Sequence, residues 1–153
     1  MRLTAFTDYG LRALMRLAGA PARSFTTDEI ATEFDISRHH LTKVVQDLGR
    51  AGYVATQRGA GGGIRLAKPA SAITLGEIVR CLEARYALVE CFRSDGGACT
   101  LTPLCRLKSK LAAAREAFLR ELDATSLAAC AYPRTPIQKA GPRQSRHTGA
   151  QAR

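Results

Sequence analysis

Residues 26–66 read Thr26-Thr-Asp-Glu-Ile-Ala-Thr-Glu-Phe-Asp-Ile-Ser-Arg-His-His-Leu-Thr-Lys-Val-Val-Gln-Asp-Leu-Gly-Arg-Ala-Gly-Tyr53, then Val54-Ala-Thr-Gln-Arg-Gly-Ala-Gly-Gly-Gly-Ile-Arg-Leu66. Thr26 and Glu29 have the spacing of a capping box, in which hydroxyl and carboxylate each satisfy the other's free backbone N–H. The box predicts a short helix ending at Phe34. Asp35-Ile36 is a tight turn. Ser37 then caps a longer helix to about Ala51, with Ile36, Leu41, Val44, Val45 and Leu48 on its apolar side and Gly52 placed to stop it. The second helix carries Arg38, His39, His40 and Lys43 near its start, so Asp28 to Ala51 reads as a helix-turn-helix. Tyr53 to Arg58 and Ile64 to Ala67 are β-prone runs flanking Gly59-Ala-Gly-Gly-Gly63, which is a hairpin. A helix-turn-helix followed by a hairpin is a winged helix. The glycine run is not a nucleotide loop, because no Gly-Lys-Ser/Thr follows and a strand stands where a helix is needed. A wing tip lying close to DNA explains the glycines.

Upstream, Thr7 is a plausible N-cap for a helix from Asp8 to about Ala18, with Leu11, Leu14, Met15 and Ala18 on one face. Gly19, Pro21 and Ser24 break it. Downstream, Thr74-Leu-Gly-Glu77 is a second capping box, opening a helix to about Ala84. Pro103 to Asp123 reads as one long helix with a stripe of Leu104, Leu107, Leu111, Ala114, Phe118 and Leu122. Such a helix would be about 30 Å long. Its apolar face needs a partner, and a second copy of the chain is the economical one. The expected fold is mainly α with a small β-hairpin: a winged helix-turn-helix plus a long dimerisation helix. Residues 1–130 form a single domain, with a DNA-reading part at 1–70 and a loop and dimerisation helix at 71–130. Residues 131–153 are rich in Pro, Gly, Gln and Arg, hold almost no large apolar side chain, and read as a disordered basic tail.

Charge agrees with the motif. The net charge of the 153 residues is +10. Within 36–70, Arg38, Lys43, Arg50, Arg58, Arg65 and Lys68 face one acid, Asp47, the footprint of a nucleic-acid surface. Arg38, His39, His40 and Lys43 are placed for base edges, and the wing arginines Arg58 and Arg65 for phosphates or the minor groove. No apolar run is long enough to span a bilayer and no signal-peptide pattern opens the chain, so a cytoplasmic protein is expected.

Five cysteines in such a chain point to metal or redox chemistry rather than a disulfide framework. Three of them, Cys91, Cys99 and Cys105, lie in one segment, Glu90-Cys-Phe-Arg-Ser-Asp-Gly-Gly-Ala-Cys-Thr-Leu-Thr-Pro-Leu-Cys-Arg106. The paired knuckles of structural zinc and the two-residue gaps of ferredoxins are both absent. Three soft thiolates suit iron, and would supply three of the four protein ligands of a cuboidal 4Fe-4S cluster; a 2Fe-2S cluster and three unrelated thiols are the alternatives. Cys81, beside Ile78 and Leu82, reads as packing, and Cys130 as a free thiol.

Taken together, the chain resembles the Rrf-type winged-helix regulators, and within them the nitric-oxide-sensing repressors. The resemblance is carried by Leu3-Thr-Ala-Phe-Thr-Asp-Tyr-Gly-Leu-Arg-Ala-Leu14, Ser37-Arg-His-His-Leu-Thr-Lys43, Arg50-Ala-Gly-Tyr-Val54, Gly62-Gly-Ile-Arg-Leu66 with Lys68-Pro-Ala70, Cys99-Thr-Leu-Thr-Pro-Leu-Cys-Arg-Leu107 and Phe118-Leu-Arg-Glu-Leu-Asp123. It implies a homodimeric, DNA-binding transcriptional repressor, not an enzyme. It also implies an iron–sulfur cluster on Cys91, Cys99 and Cys105, with Asp8 from the partner subunit as a fourth ligand. Nitric oxide would nitrosylate the cluster, release operator DNA and derepress detoxification genes. The cluster-biogenesis branch of the family uses a histidine three residues after its last cysteine, where this chain has Lys108. The iron-responsive branch shares the cysteine spacing and the Glu90-Cys91-Phe92 stretch, so iron or iron–sulfur status is the alternative signal. A cluster-bearing redox protein is a further alternative, against which the winged helix and its basic face argue.

Overall fold

The computed structural model describes residues 2–57, 59, 62–101 and 104–132. Arg58, Pro103 and residues 133–153 of the expected tail lie outside the described residues. Five helices and one hairpin follow in the order α1 (Ala5–Ala18), α2 (Thr27–Phe34), α3 (Arg38–Arg50), β1 (Val54–Gln57), β2 (Gly63–Leu66), α4 (Leu75–Glu83) and α5 (Arg106–Asp123).

The two capping boxes form as their spacing predicts. Thr26 accepts from the Glu29 N–H while the Glu29 carboxylate accepts from the Thr26 N–H, and Thr74 and Glu77 do the same at α4. Asp35 closes α2 in the left-handed region at φ 54°, and the Ile36 N–H returns to the Ala31 carbonyl. Gly52, at φ 77°, ends α3: its N–H reaches the Gly49 carbonyl and the Tyr53 N–H reaches that of Leu48. This is a glycine C-terminal stop, a conformation that costs glycine nothing. The chain then enters β1, which pairs antiparallel with β2 in the register Val54 to Leu66 and Gln57 to Gly63. Phe25 adds a bridge on the other side, exchanging two backbone hydrogen bonds with Ile64. A Cβ at Gly63 would lie 2.6 Å from the Phe25 carbonyl oxygen, so this close approach needs glycine.

Three expectations change. The N-cap of α1 is Thr4, not Thr7, and the helix starts at Ala5. Thr4 accepts from the Thr7 N–H, and Thr7 is itself fully buried. The last helix begins at Arg106 rather than Pro103. Leu104 sits in a turn and Cys105 is extended, with ψ 105°, so helical bonding starts after it. Its 18 residues make a rod of roughly 27 Å. Finally, Ala131 packs against the core and the Tyr132 N–H donates to the Met15 carbonyl at 2.9 Å, so chain order extends two residues into the segment expected to be tail.

The core gathers Leu14 and Leu17 of α1, Ile30 of α2, Leu41, Val44 and Leu48 of α3, Ile64 of the wing, Ile73, Ile78 of α4 and Leu127. α1 crosses α3 and α4. Gly10 allows the crossing, since a Cβ there would meet Leu82 of α4 and Val44 of α3. α5 stands outside this core. It packs on α4 and buries Leu119, beside a two-pronged ion pair of Arg80 with Asp123 (2.7 Å between Nη2 and Oδ2).

Candidate nucleic-acid interface and cysteine loop

Burial of Leu41, Val44, Val45 and Leu48 turns the opposite face of α3 to solvent, and Arg38, His39, His40 and Lys43 all lie exposed there. The two histidine rings sit 6.0 Å apart, tilted. The Arg38 guanidinium rests against Asp28 of α2, with Nε 2.7 Å from Oδ1. Strand alternation buries Ile64 and exposes Arg65 opposite Ala55. Lys68 lies over the Tyr53 ring at 4.7 Å and so pins the chain leaving the wing to the end of α3. Asp47, the one acid of this region, is held by Arg50 at 2.9 Å and Arg85 at 3.4 Å. The exposed face is thus basic, with a helix and a hairpin projecting from one support. A major groove admits such a helix, and cationic side chains beside it neutralise phosphates.

Several contributors escape the periodicity arguments. Arg16 is 6% exposed, donates from Nε to both oxygens of Glu33, and lies 4.4 Å from the centre of the Phe25 ring. Arg23 covers the same ring at 4.4 Å. This stack joins α1, α2 and the wing. Glu83, the last residue of α4, accepts hydrogen bonds at Oε1 from the Thr4 N–H, the Thr4 hydroxyl and the Thr7 hydroxyl. It fastens the first turn of α1 to the point where the cysteine loop begins. No local pattern marks either contact, because partners 17 and 79 residues apart are joined only by the fold.

The loop from 84 to 105 carries Cys91 in a single 3₁₀ turn (Glu90–Phe92), Cys99 in irregular chain and Cys105 as the residue before α5. All three thiols are half-buried and unpaired. The loop is braced by its own polar contacts. Arg93 grips Asp95, whose carboxylate accepts from the Gly97 N–H, and Glu90 accepts from the Ala98 N–H. The Arg93 guanidinium holds the Asp95 carboxyl below the usual carboxylate range. Among the described residues no three His, Cys, Asp or Glu side chains stand close enough to hold a metal ion. One loop thus carries Cys91, Cys99 and Cys105, and among the described residues they do not close into a cage. In kind the donors fit an iron–sulfur cluster: accessible soft thiolates with no competing disulfide. Asp8 lies in the first turn of α1 and is engaged at both oxygens by Arg12, at 2.7 and 3.1 Å, with both side chains about half exposed. Cys81 is packed against the core, and burial followed by the nearby Asp47 pushes its thiol pKa up. Cys130 ends the last 3₁₀ turn, half-buried.

No described helix is long and apolar enough to cross a membrane. Residues 3–132 match the Rrf2 family, described as "Iron-dependent Transcriptional regulator". The "HTH-type transcriptional regulator NsrR" of Geobacillus kaustophilus (strain HTA426) is 50% identical over 129 residues, covering 84% of this chain and 88% of that protein. Among solved structures, CymR (YrzC), the global cysteine regulator of B. subtilis, is 31% identical with a TM-score of 0.69, over 86% of this chain and 96% of that one. IscR of T. potens is 25% identical with a TM-score of 0.68, over 84% and 85% of the two chains. A winged helix with a basic recognition face, matched along nearly all its described length, places this chain in the Rrf2 family: it is a DNA-binding transcriptional regulator and not an enzyme.

Proposed function

We propose that the chain is a homodimeric repressor that holds an iron–sulfur cluster, of the 4Fe-4S type, on Cys91, Cys99 and Cys105 and releases its operator when nitric oxide attacks that cluster. The observation that carries the proposal is the loop of three accessible, unpaired thiols in a chain half identical to an NsrR regulator. A bound cluster would supply iron open to a small diatomic gas. Asp8 of the partner subunit is the fourth ligand in this reading; oxygen is a harder and more labile donor to iron than sulfur. To reach iron, Asp8 must leave Arg12, an exposed pair of the kind that contributes little stability.

Residues 1–70 read DNA in this scheme, and residues 71–130 hold the cluster and the partner. The latch at Glu83 links the two parts. It fixes the first turn of α1, where Asp8 sits, to the residue from which the cysteine loop departs. A change in the loop is therefore felt at the base of the helix that packs on α3. Every exposed large apolar side chain among the described residues falls between Tyr86 and Leu107. Such a surface fits contact with a second copy. Cytoplasmic residence follows from the same reading. The description "Iron-dependent" favours iron status as the second reading of the signal.

Anaerobic absorbance and iron–sulfide analysis, before and after nitric oxide, with DNA binding followed in parallel, tests the scheme. It expects a cluster, its loss or conversion by nitric oxide, and release of DNA. Release by iron chelation alone, with no response to nitric oxide, transfers the signal to iron.

A further inference from the structure

We propose that Arg38 reads a guanine in the operator and that Asp28 is the positioning residue that aims it. The proposal rests on α3 being the recognition helix. Arg38 is the first residue of that helix, and its side chain is 73% exposed. The Asp28 carboxylate meets it through Nε, at 2.7 Å. Most of the Arg38 side chain is thus left open toward solvent. Guanine presents O6 and N7 in the major groove as a matched pair of acceptors, and a planar guanidinium fork matches both at once.

Asp28 is suited to aiming because its backbone is fixed. It sits in the first turn of α2, inside the capping box of Thr26 and Glu29. The left-handed Asp35 and the Ile36 to Ala31 hydrogen bond set the angle between α2 and α3. An unrestrained arginine loses much side-chain freedom on docking, and a carboxylate that restricts it beforehand reduces that loss. Asp28 also places a negative charge at the DNA face, which opposes binding through phosphates alone. A purely local role, an acid favouring the N-terminus of α2, is the competing account. The two differ in one readout, the base preference at a single position.

Full-length protein, purified anaerobically, is used to select duplexes from a random library, and binding to the selected site and its single-base variants is then measured. The wild-type protein is expected to prefer guanine at one position of each half-site by roughly 5- to 150-fold. Arg38→Ala should lose that preference and lower attraction to DNA in general only by the one charge removed. Asp28→Asn should weaken the preference by up to about 5-fold at the same position, leave preferences elsewhere unchanged, and bind unselected DNA more tightly. Asp28→Glu, which keeps the carboxylate and the helix start, should recover much of it. Thermal unfolding confirms that each variant is folded. The proposal is overturned if Asp28→Asn keeps the wild-type preference, or changes affinity for all sequences alike, while Arg38→Ala loses the guanine. It is overturned equally if Arg38→Ala retains it. A wild-type protein that selects no sequence overturns the recognition-helix reading itself.

Discussion

Cys91, Cys99 and Cys105 differ from Cys81 and Cys130 in what surrounds them. The first three share one loop with no core around it, whereas Cys81 packs on the core and burial pushes its thiol pKa up. A thiol that resists ionisation is a poor ligand, because the thiolate is the form that binds metal. Each of Cys91→Ala, Cys99→Ala and Cys105→Ala should abolish stable iron binding, while Cys81→Ala and Cys130→Ala should leave iron and sulfide contents at the wild-type level. Iron retained by Cys99→Ala and lost by Cys130→Ala would reverse the assignment. Asp8→Ala completes the set. If Asp8 only pairs with Arg12, its loss costs about 0.3–0.5 kcal/mol and leaves the cluster absorbance alone. The ligand role expects an altered spectrum in a protein that remains folded.

At the scale of elements, the junction of α1 with α4 is held by few groups. Glu83→Ala would remove the acceptor of the Thr4 N–H and the Thr4 hydroxyl, and leave the buried Thr7 hydroxyl only its 3.2 Å contact with the Thr4 hydroxyl. An unsatisfied buried polar group costs about 1–3 kcal/mol, so urea unfolding should show a loss of that size; an unchanged midpoint would remove the latch from the account. Acid should loosen the same framework. Backbone hydrogen bonds of the capping boxes hold the Glu29 and Glu77 carboxyls below their ordinary range, and the Arg80 hydrogen bond does so for Asp123. A folded-state pKa below the unfolded one adds stability that is present above the unfolded value and is lost as pH falls through the folded one. Stability should therefore decline as pH drops below the ordinary carboxylate range, and Asp123→Asn should flatten that decline in equilibrium unfolding followed against pH.

Both capping boxes, the glycine that ends α3 and the hairpin are legible in the sequence because each depends on neighbours within a few positions. The start of α1 is not. Thr4 and Thr7 are equal candidates locally, and Glu83, far along the chain, engages both and leaves Thr4 to cap. The start of α5 is misplaced for a related reason: helical spacing of leucines continues through Leu104, but the backbone at Cys105 is extended. The residue types of the site are legible. The partners that restrain them, Asp28 on Arg38 and Arg12 on Asp8, are matters of three-dimensional approach.

For the whole molecule, the exposed apolar surface and the basic face give separate expectations. Leu104 is 92% and Leu107 62% exposed, the latter on α5. Covering an exposed leucine fully is worth about 1.5–3 kcal/mol. Leu107→Glu should shift the protein from dimer toward monomer in sedimentation velocity at micromolar concentration, and an unperturbed dimer would place the interface elsewhere. A two-fold dimer should also select a palindrome whose half-sites lie about 34–36 Å apart. The central claim is that the cysteine loop reports nitric oxide to the recognition helix. The most direct test is a titration of anaerobic, cluster-loaded protein with nitric oxide while its absorbance and the fluorescence anisotropy of a bound, library-selected duplex are recorded together. The cluster absorbance and the DNA-bound anisotropy should fall together, and both responses should vanish in Cys99→Ala. DNA that stays bound after the cluster absorbance has gone would contradict the central claim.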